Sequence, residues 1–214
     1  MTEPKDPRQR RRQKREPVQA RARERVGRIL AAAEELIAAH GADALKMNEI
    51  AERAGVPIGS LYQYFPDKSA IILTLADRFN ERVHQGLVAQ WQHVTSLDEA
   101  RQALRSAMRA YYDFIRAEPV LRDIWSGTQV DPELQQADIA DSRRNGELVW
   151  RKLAPLVDRA QKERLKITCF MMMQLTGAAV RLAVSVEHKE GDAIIEEFTR
   201  LLEKSLIVPL RGDS

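Results

Sequence analysis

The sequence predicts an all-α protein of about nine helices, a short three-helix unit followed by a longer helical body. Three observations carry this. Apolar residues recur at three- and four-residue spacing along almost the whole chain. No stretch shows the strict alternation of a half-buried strand. Helix starts and stops are marked in order, by Ser96 with Glu99, by Asp131 before Pro132, and by breaks at Gly41, Gly55, Pro119 and Gly127. With 214 residues, 44% hydrophobic and 30% charged, the chain can bury a sizeable core.

Residues 1–20 lack apolar periodicity, include Pro4, Pro7 and Pro17, and are expected to be a disordered basic arm. Residues 21–40 form the first helix, with Val26, Ile29, Leu30, Ala33, Leu36 and Ile37 on one face and Gly41 as its stop. A second helix places Met47, Ile50, Ala51 and Ala54 inward, and Gly55 supplies the left-handed turn after it. Pro57 suits the first position of a third helix. That helix buries Leu61 and Phe65 and turns Ile58, Gly59, Ser60, Tyr62, Gln63 and Tyr64 outward before Pro66 closes it. Two short helices around a glycine turn, the second presenting small, hydroxyl and aromatic residues, read as a helix-turn-helix that binds DNA.

Asp67 caps a fourth helix that runs to about His93, with Ile72, Leu75, Ala76, Phe79 and Val83 inward. It joins the head to the body and is the expected route for a ligand signal. The Ser96-to-Glu99 capping box opens a fifth helix ending at Glu118, and Val120 to Trp125 make a short sixth. The seventh starts at Asp131-Pro132-Glu133, has an unusually polar middle, and ends or kinks at Pro155. The eighth, Lys162 to Val186, is the most apolar, with Arg181 its only charge after Ile167. Its length alone would allow a membrane span, but Gln174 and Arg181 interrupt it and no second span exists, so burial on two sides is the expectation. The ninth carries Ile194, Ile195, Phe198, Leu201, Leu202 and Leu206 on one stripe before Pro209.

Charge and composition narrow the function. The net charge of +3 hides an asymmetry: residues 1–25 hold ten Lys or Arg against four Asp or Glu, so the remainder is net negative. A chain basic at one end points to nucleic acid. The single Cys169 excludes an internal disulfide and fits a reducing compartment, and the polar N-terminus does not resemble a signal peptide, so the expected location is cytoplasmic without membrane attachment. His40, His84, His93 and His188 are too scattered for a metal site, and no phosphate loop or nucleophile elbow occurs. Neither an enzyme nor a cofactor is expected.

The run Ile50-Ala51-Glu52-Arg53-Ala54-Gly55-Val56, then Gly59-Ser60-Leu61-Tyr62-Gln63-Tyr64-Phe65 and Lys68, resembles the TetR family of bacterial transcription regulators. The resemblance covers roughly residues 21–85. It implies a homodimer that clamps a palindromic double-stranded operator and releases it when a small molecule binds. It also implies that Tyr62, Tyr64 and Lys68 grip phosphates, while Ser60 and Gln63, with the Gly59 backbone, reach base edges or nearby phosphates. The family commonly opens both motif helices with Ser or Thr, where this chain has Lys46-Met47 and Pro57. Lys46 can restore attraction to phosphate but not the cap, which is worth about 1 kcal/mol. Arg11, Arg12 and Arg15 of the basic arm are the further candidates, reaching phosphates or a minor groove, against the alternative of a solvated tail.

The expected organisation is therefore a basic arm (1–20), a helix-turn-helix domain (21–68) and a ligand-binding and dimerisation domain (69–214). In the body, Trp91, Tyr111, Trp125, Trp150 and Met172 are candidates to line a cavity between the fourth and eighth helices, with Gln174 as a polar handle, against the plainer reading of ordinary core. A hydrophobic or aromatic effector follows. Asp138, Asp141 and Glu147 read first as the wet face of a helix, with a cationic ligand as the weaker alternative. The last two helices are expected to pair across a two-fold axis, through Gly177, Ala178, Phe198 and Leu202. The competing functions are an architectural DNA binder without effector and an all-α small-molecule carrier.

Overall fold

The structure, a computed structural model, describes residues 7–127 and 131–207, with side chains for all of these except 7–18, 119, 126 and 127. Among the described residues there are nine α-helices, two single 3-10 turns and no strand. The helices are α1 (Pro7–His40), α2 (Met47–Ala54), α3 (Ile58–Tyr64), α4 (Lys68–Trp91), α5 (Leu97–Ala117), α6 (Pro119–Gly127), α7 (Pro132–Leu153), α8 (Lys162–Ser185) and α9 (His188–Leu206). The chain divides into two compact units, Met1–Leu75 and Ala76–Ser214, so the first part of α4 belongs to the head.

One expectation is corrected at the N-terminus: residues 7–20 are helical, continuous with the first helix, rather than a disordered arm. Arg, Gln, Lys and Glu have high helix propensity even without an apolar face, which periodicity alone does not register. Pro17 lies inside this helix and lacks the N–H that would bond back one turn, a local cost of about 3 kcal/mol. Residues 1–6 lie outside the described ones.

In the first unit, Ile29, Leu30, Ala33 and Ile37 of α1 are buried, with Ile50, Ala51 and Ala54 of α2, Leu61 of α3, Phe65, and Ile71 and Leu75 of α4. Gly55 follows α2 at φ 60°, the left-handed geometry that closes the helix, and its N–H and that of Val56 satisfy carbonyls of Glu52 and Ala51. Neither α2 nor α3 has a side-chain cap, because Lys46 and Pro57 occupy the cap positions. Pro57 thus precedes α3 rather than opening it. The Asp67 carboxylate accepts from the Ala70 N–H at 2.9 Å and caps α4.

In the second unit the start signals are the ones the sequence carries. Ser96 and Glu99 form a reciprocal capping box on α5, and the Asp131 carboxylate accepts from the N–H groups of Glu133 and Leu134 with Pro132 at the first turn of α7. Helix α8 packs chiefly on α7 and α9. It is long and apolar enough to cross a membrane by composition, yet here it buries Leu165, Cys169, Val180 and Ala183 against its neighbours. Its opposite side leaves Ile167, Met171, Leu175 and Leu182 exposed. Two glycines permit the close crossings. A Cβ on Gly146 of α7 would lie 2.8 Å from the Phe170 Cα, and one on Gly191 of α9 would lie 2.3 Å from the Ala183 carbonyl oxygen.

Gly191→Ala should therefore destabilise the protein by about 1–3 kcal/mol, the cost of overpacking, despite the better helix propensity of alanine. Urea unfolding measures this as a lower midpoint at unchanged slope. A midpoint equal to or above that of the parent would show that the α8–α9 crossing is not close-packed there.

Candidate functional site

The outer surface of α3 has the form that the sequence suggests. Leu61 and Phe65 are buried, and Gly59, Tyr62 and Gln63 are exposed, with Ser60 and Tyr64 half-buried. The inward anchors fix which way the helix faces, since Leu61 is wholly inaccessible while Tyr62 is half exposed at 51%. Arg53 of α2 meets Glu35 of α1 at 2.7 Å on the surface and ties the motif to the first helix. Lys46 pairs with Glu49 at 3.1 Å, one turn into α2, and remains exposed. Lys68 donates to the Asp43 carbonyl at 3.1 Å, binding the start of α4 to the loop between α1 and α2. The ammonium keeps two further donors. Arg11, Arg12 and Arg15 lie in the N-terminal part of α1, and their side chains lie outside the described ones.

The second unit holds a half-open cavity of about 330 Å³, lined mainly from α4, α5, α7 and α8 with Trp125 of α6 and Leu202 of α9. Three sequence candidates, Trp91, Tyr111 and Trp125, line it. The Tyr111 and Trp125 rings are tilted against each other with centroids 6.2 Å apart. The other three do not line it. Trp150 donates its indole N–H to the Lys162 carbonyl at 3.2 Å and stacks under the Lys166 ammonium, which holds it at the α7–α8 junction. Met172 points away by the helical rotation that brings Met173 into the wall. Gln174 stands behind the wall and donates its amide to the Asp138 carboxylate at 2.6 Å. An inward polar residue on α8 does find a partner, and that partner lines the cavity.

The polar side of the cavity is acidic. Asp138 and Asp141 of α7 both line it, one turn apart on the same face. Asn145 donates to Asp141 at 2.8 Å, and His84 of α4 meets the Asn145 oxygen at 2.7 Å. Burial pushes the Asp141 carboxyl up to about 6; the charges of Arg144 and His84 oppose this and that of Asp138 adds to it. Burial, reinforced by the Asp138 charge, also raises Tyr111 well above the ordinary phenol range. Arg82 lines the cavity too, but pairs with Glu118 at 3.3 Å and lies over the Phe114 ring. The acids were visible in the sequence only as a polar face; the fold turns that face toward a cavity that α4, α5 and α8 also line.

The expected dimer residues separate into two groups. Ala178 is exposed, in line with Ile167, Met171, Leu175 and Leu182 on α8. Phe198 is half-buried near the exposed Leu201 of α9. Gly177 and Leu202 instead line the cavity, and Leu202 is only 2% exposed, so it belongs to the interior of the body. The helical spacing of α9 placed Leu201 and Leu202 on one broad stripe; packing on α5 and α8 divides them.

Comparison with known proteins gives two family matches. Residues 29–75 match the family described as bacterial regulatory proteins, tetR family, and residues 98–210 match the tetracyclin repressor-like C-terminal domain. The chain is similar to the transcriptional activator FasR of Mycolicibacterium smegmatis, 38% identical over 92 residues covering 43% of this chain and 41% of the relative. It is also similar to the transcriptional repressor KstR of the same organism, 41% identical over 61 residues covering 28% of this chain and 30% of the relative. The matched stretches thus span less than half the length of these curated relatives. A solved TetR-family transcriptional regulator from Streptomyces coelicolor superimposes with a TM-score of 0.64 at 27% identity, covering 86% of this chain and 95% of that one.

The raised Asp141 carboxyl has a stability consequence. The folded state holds this proton up to about pH 6, whereas an unfolded aspartate loses it near 3.8, so stability falls as pH rises through that window. Asp141→Asn should stabilise the protein at pH 7.5 by about 1–2 kcal/mol, the shift being discounted for partial exposure. The gain should vanish below about pH 4, where both side chains are neutral. Thermal melts of the two proteins at pH 4 and 7.5 measure it; equal melting at pH 7.5 would show that Asp141 carries no burial penalty.

Proposed function

Given that the chain belongs to the TetR family of bacterial regulatory proteins, we propose that it is a ligand-responsive transcriptional regulator, a repressor acting as a homodimer on a palindromic operator. The observation that carries the reading is α3, anchored by Leu61 and Phe65 and presenting Gly59, Tyr62 and Gln63 to solvent within a matched DNA-binding segment. Tyr62 and Tyr64 donate to phosphates, with Lys46 and Lys68 adding charge and Ser60 at the edge. Gln63 reads a base edge, for which adenine is the geometric match. The basic N-terminal part of α1, with Arg11, Arg12 and Arg15, adds attraction that falls with salt.

A two-fold axis is supported by the exposed apolar line on α8, from Ile167 through Met171, Leu175 and Ala178 to Leu182, continued on α9 by Leu201. Pairing of this surface with itself would cover it. The effector of the regulator occupies the 330 Å³ cavity, whose aromatic wall of Trp91, Tyr111 and Trp125 suits a small hydrophobic or aromatic molecule. This cavity favours an effector-controlled regulator over an architectural DNA binder. The exposed recognition helix favours either over a simple carrier. The chain passes between its two units within α4, which makes this helix the route by which ligand and DNA affinity are coupled.

Selecting bound duplexes from a random-sequence library tests the reading. The expected product is a single enriched motif with two inverted half-sites, and failure to enrich any motif would overturn it. On the selected site Tyr62→Phe should weaken binding about equally for specific and random DNA, because phosphate contacts position without reading sequence. Gln63→Ala should instead cost about 1–3 kcal/mol on the selected site and relax the preference at one position per half-site. Binding isotherms at fixed salt distinguish the two; identical behaviour of both variants would remove the residue assignments.

A further inference from the structure

We propose that the cavity of the second unit selects a singly charged cation, an aromatic ring system bearing a short ammonium arm, with the ammonium held by Asp138 and Asp141. The inference rests on the reading of this cavity as the effector site and adds the charge of its ligand. Both carboxylates line the cavity from one face of α7. Each spends Oδ2 on a neutral amide, Asp138 on Gln174 and Asp141 on Asn145, and neither forms an ion pair among the described residues. Two of the nearby arginines are committed elsewhere, while Arg181 reaches the wall beside Gly177. Arg82 pairs with Glu118, and Arg144 pairs with Glu81 at 2.8 Å. Two acids one turn apart in a partly desolvated wall, neither in an ion pair among the described residues, are costly to the protein, and a ligand cation offsets that cost.

One further group points to a ligand independently of the acids, and a second is buried and unsatisfied beside them. Trp91 lines the cavity with 1% of its surface exposed, and its indole N–H has no acceptor. The Gln174 oxygen, beside Asp138, is buried without a donor. Leaving such groups unsatisfied costs about as much as a lost hydrogen bond each, and the Trp91 N–H, which lines the cavity, is open to an acceptor atom on a ligand. The Tyr111 and Trp125 rings complete the wall and attract cations through their faces. The volume of about 330 Å³ stands at the small end of ligand pockets and accommodates one fused ring system with a short arm.

Titration calorimetry of the full chain at pH 7.5 tests this with three probes sharing one ring: 2-(1-naphthyl)ethylammonium, 2-(1-naphthyl)ethanol and 1-naphthylacetate. The expected order is ammonium tightest by tenfold or more over the alcohol, with the carboxylate weakest, at one site per chain. Asp138→Asn and Asp141→Asn should each bring the ammonium to within a few-fold of the alcohol. Unchanged affinity for the alcohol shows that the variants are folded with the cavity intact. An alcohol or carboxylate that binds as tightly as the ammonium overturns the charge selection while leaving the effector site standing, as does ammonium binding indifferent to both substitutions. Binding of none of the three overturns the effector-site reading itself.

Discussion

Helix α8 is mostly apolar, with Arg181 its only charge after Ile167, and the disposal of its sides organises the second unit. One side packs on α7 and α9, where Gly146 and Gly191 let backbones approach to distances that no side chain would tolerate. A second contributes Met173, Thr176 and Gly177 to the cavity wall. The third leaves Ile167, Met171, Leu175 and Leu182 in water. Burying a side chain of that size is worth about 1.5–3 kcal/mol, so a row of four on one face is a strong drive toward association.

The cavity and this exposed row therefore lie on the same helix. In the proposed dimer, a ligand that shifts α8 or its neighbours would act on the pairing surface. Binding alone would not suffice, because a ligand with equal affinity for both arrangements shifts nothing. The chemistry of the wall supplies a way to be selective. Under the proposed cation selection, the ligand would favour whichever arrangement keeps Asp138 and Asp141 facing it.

The fold was largely legible because its signals are local. Capping at Ser96, Asp67 and Asp131, the Gly55 turn, and the inward Leu61 and Phe65 each follow from a few neighbouring residues. What failed depended on rotation or on distant packing. Trp150 and Met172 sit on the right helices but face other neighbours, and a rotation of one residue put Met173 in the wall instead. Leu202 was grouped with Leu201 by periodicity, but only one of them reaches the surface. The acids of α7 looked solvated because the cavity they line is closed by residues of α4, α5 and α8 that are distant in the chain. The helical start at Pro7 was missed because propensity without an apolar stripe leaves no periodic trace.

Sedimentation equilibrium of the parent chain and of Leu182→Glu, each at micromolar concentration, tests the central claim most directly. Leu182 is more than half exposed in the single chain, so a charge there leaves the monomer folded, as circular dichroism of the same samples would record. The account predicts a dimer for the parent and a folded monomer for the variant. A parent chain that sediments as a monomer, or a variant that remains as tightly dimeric as the parent, would contradict it.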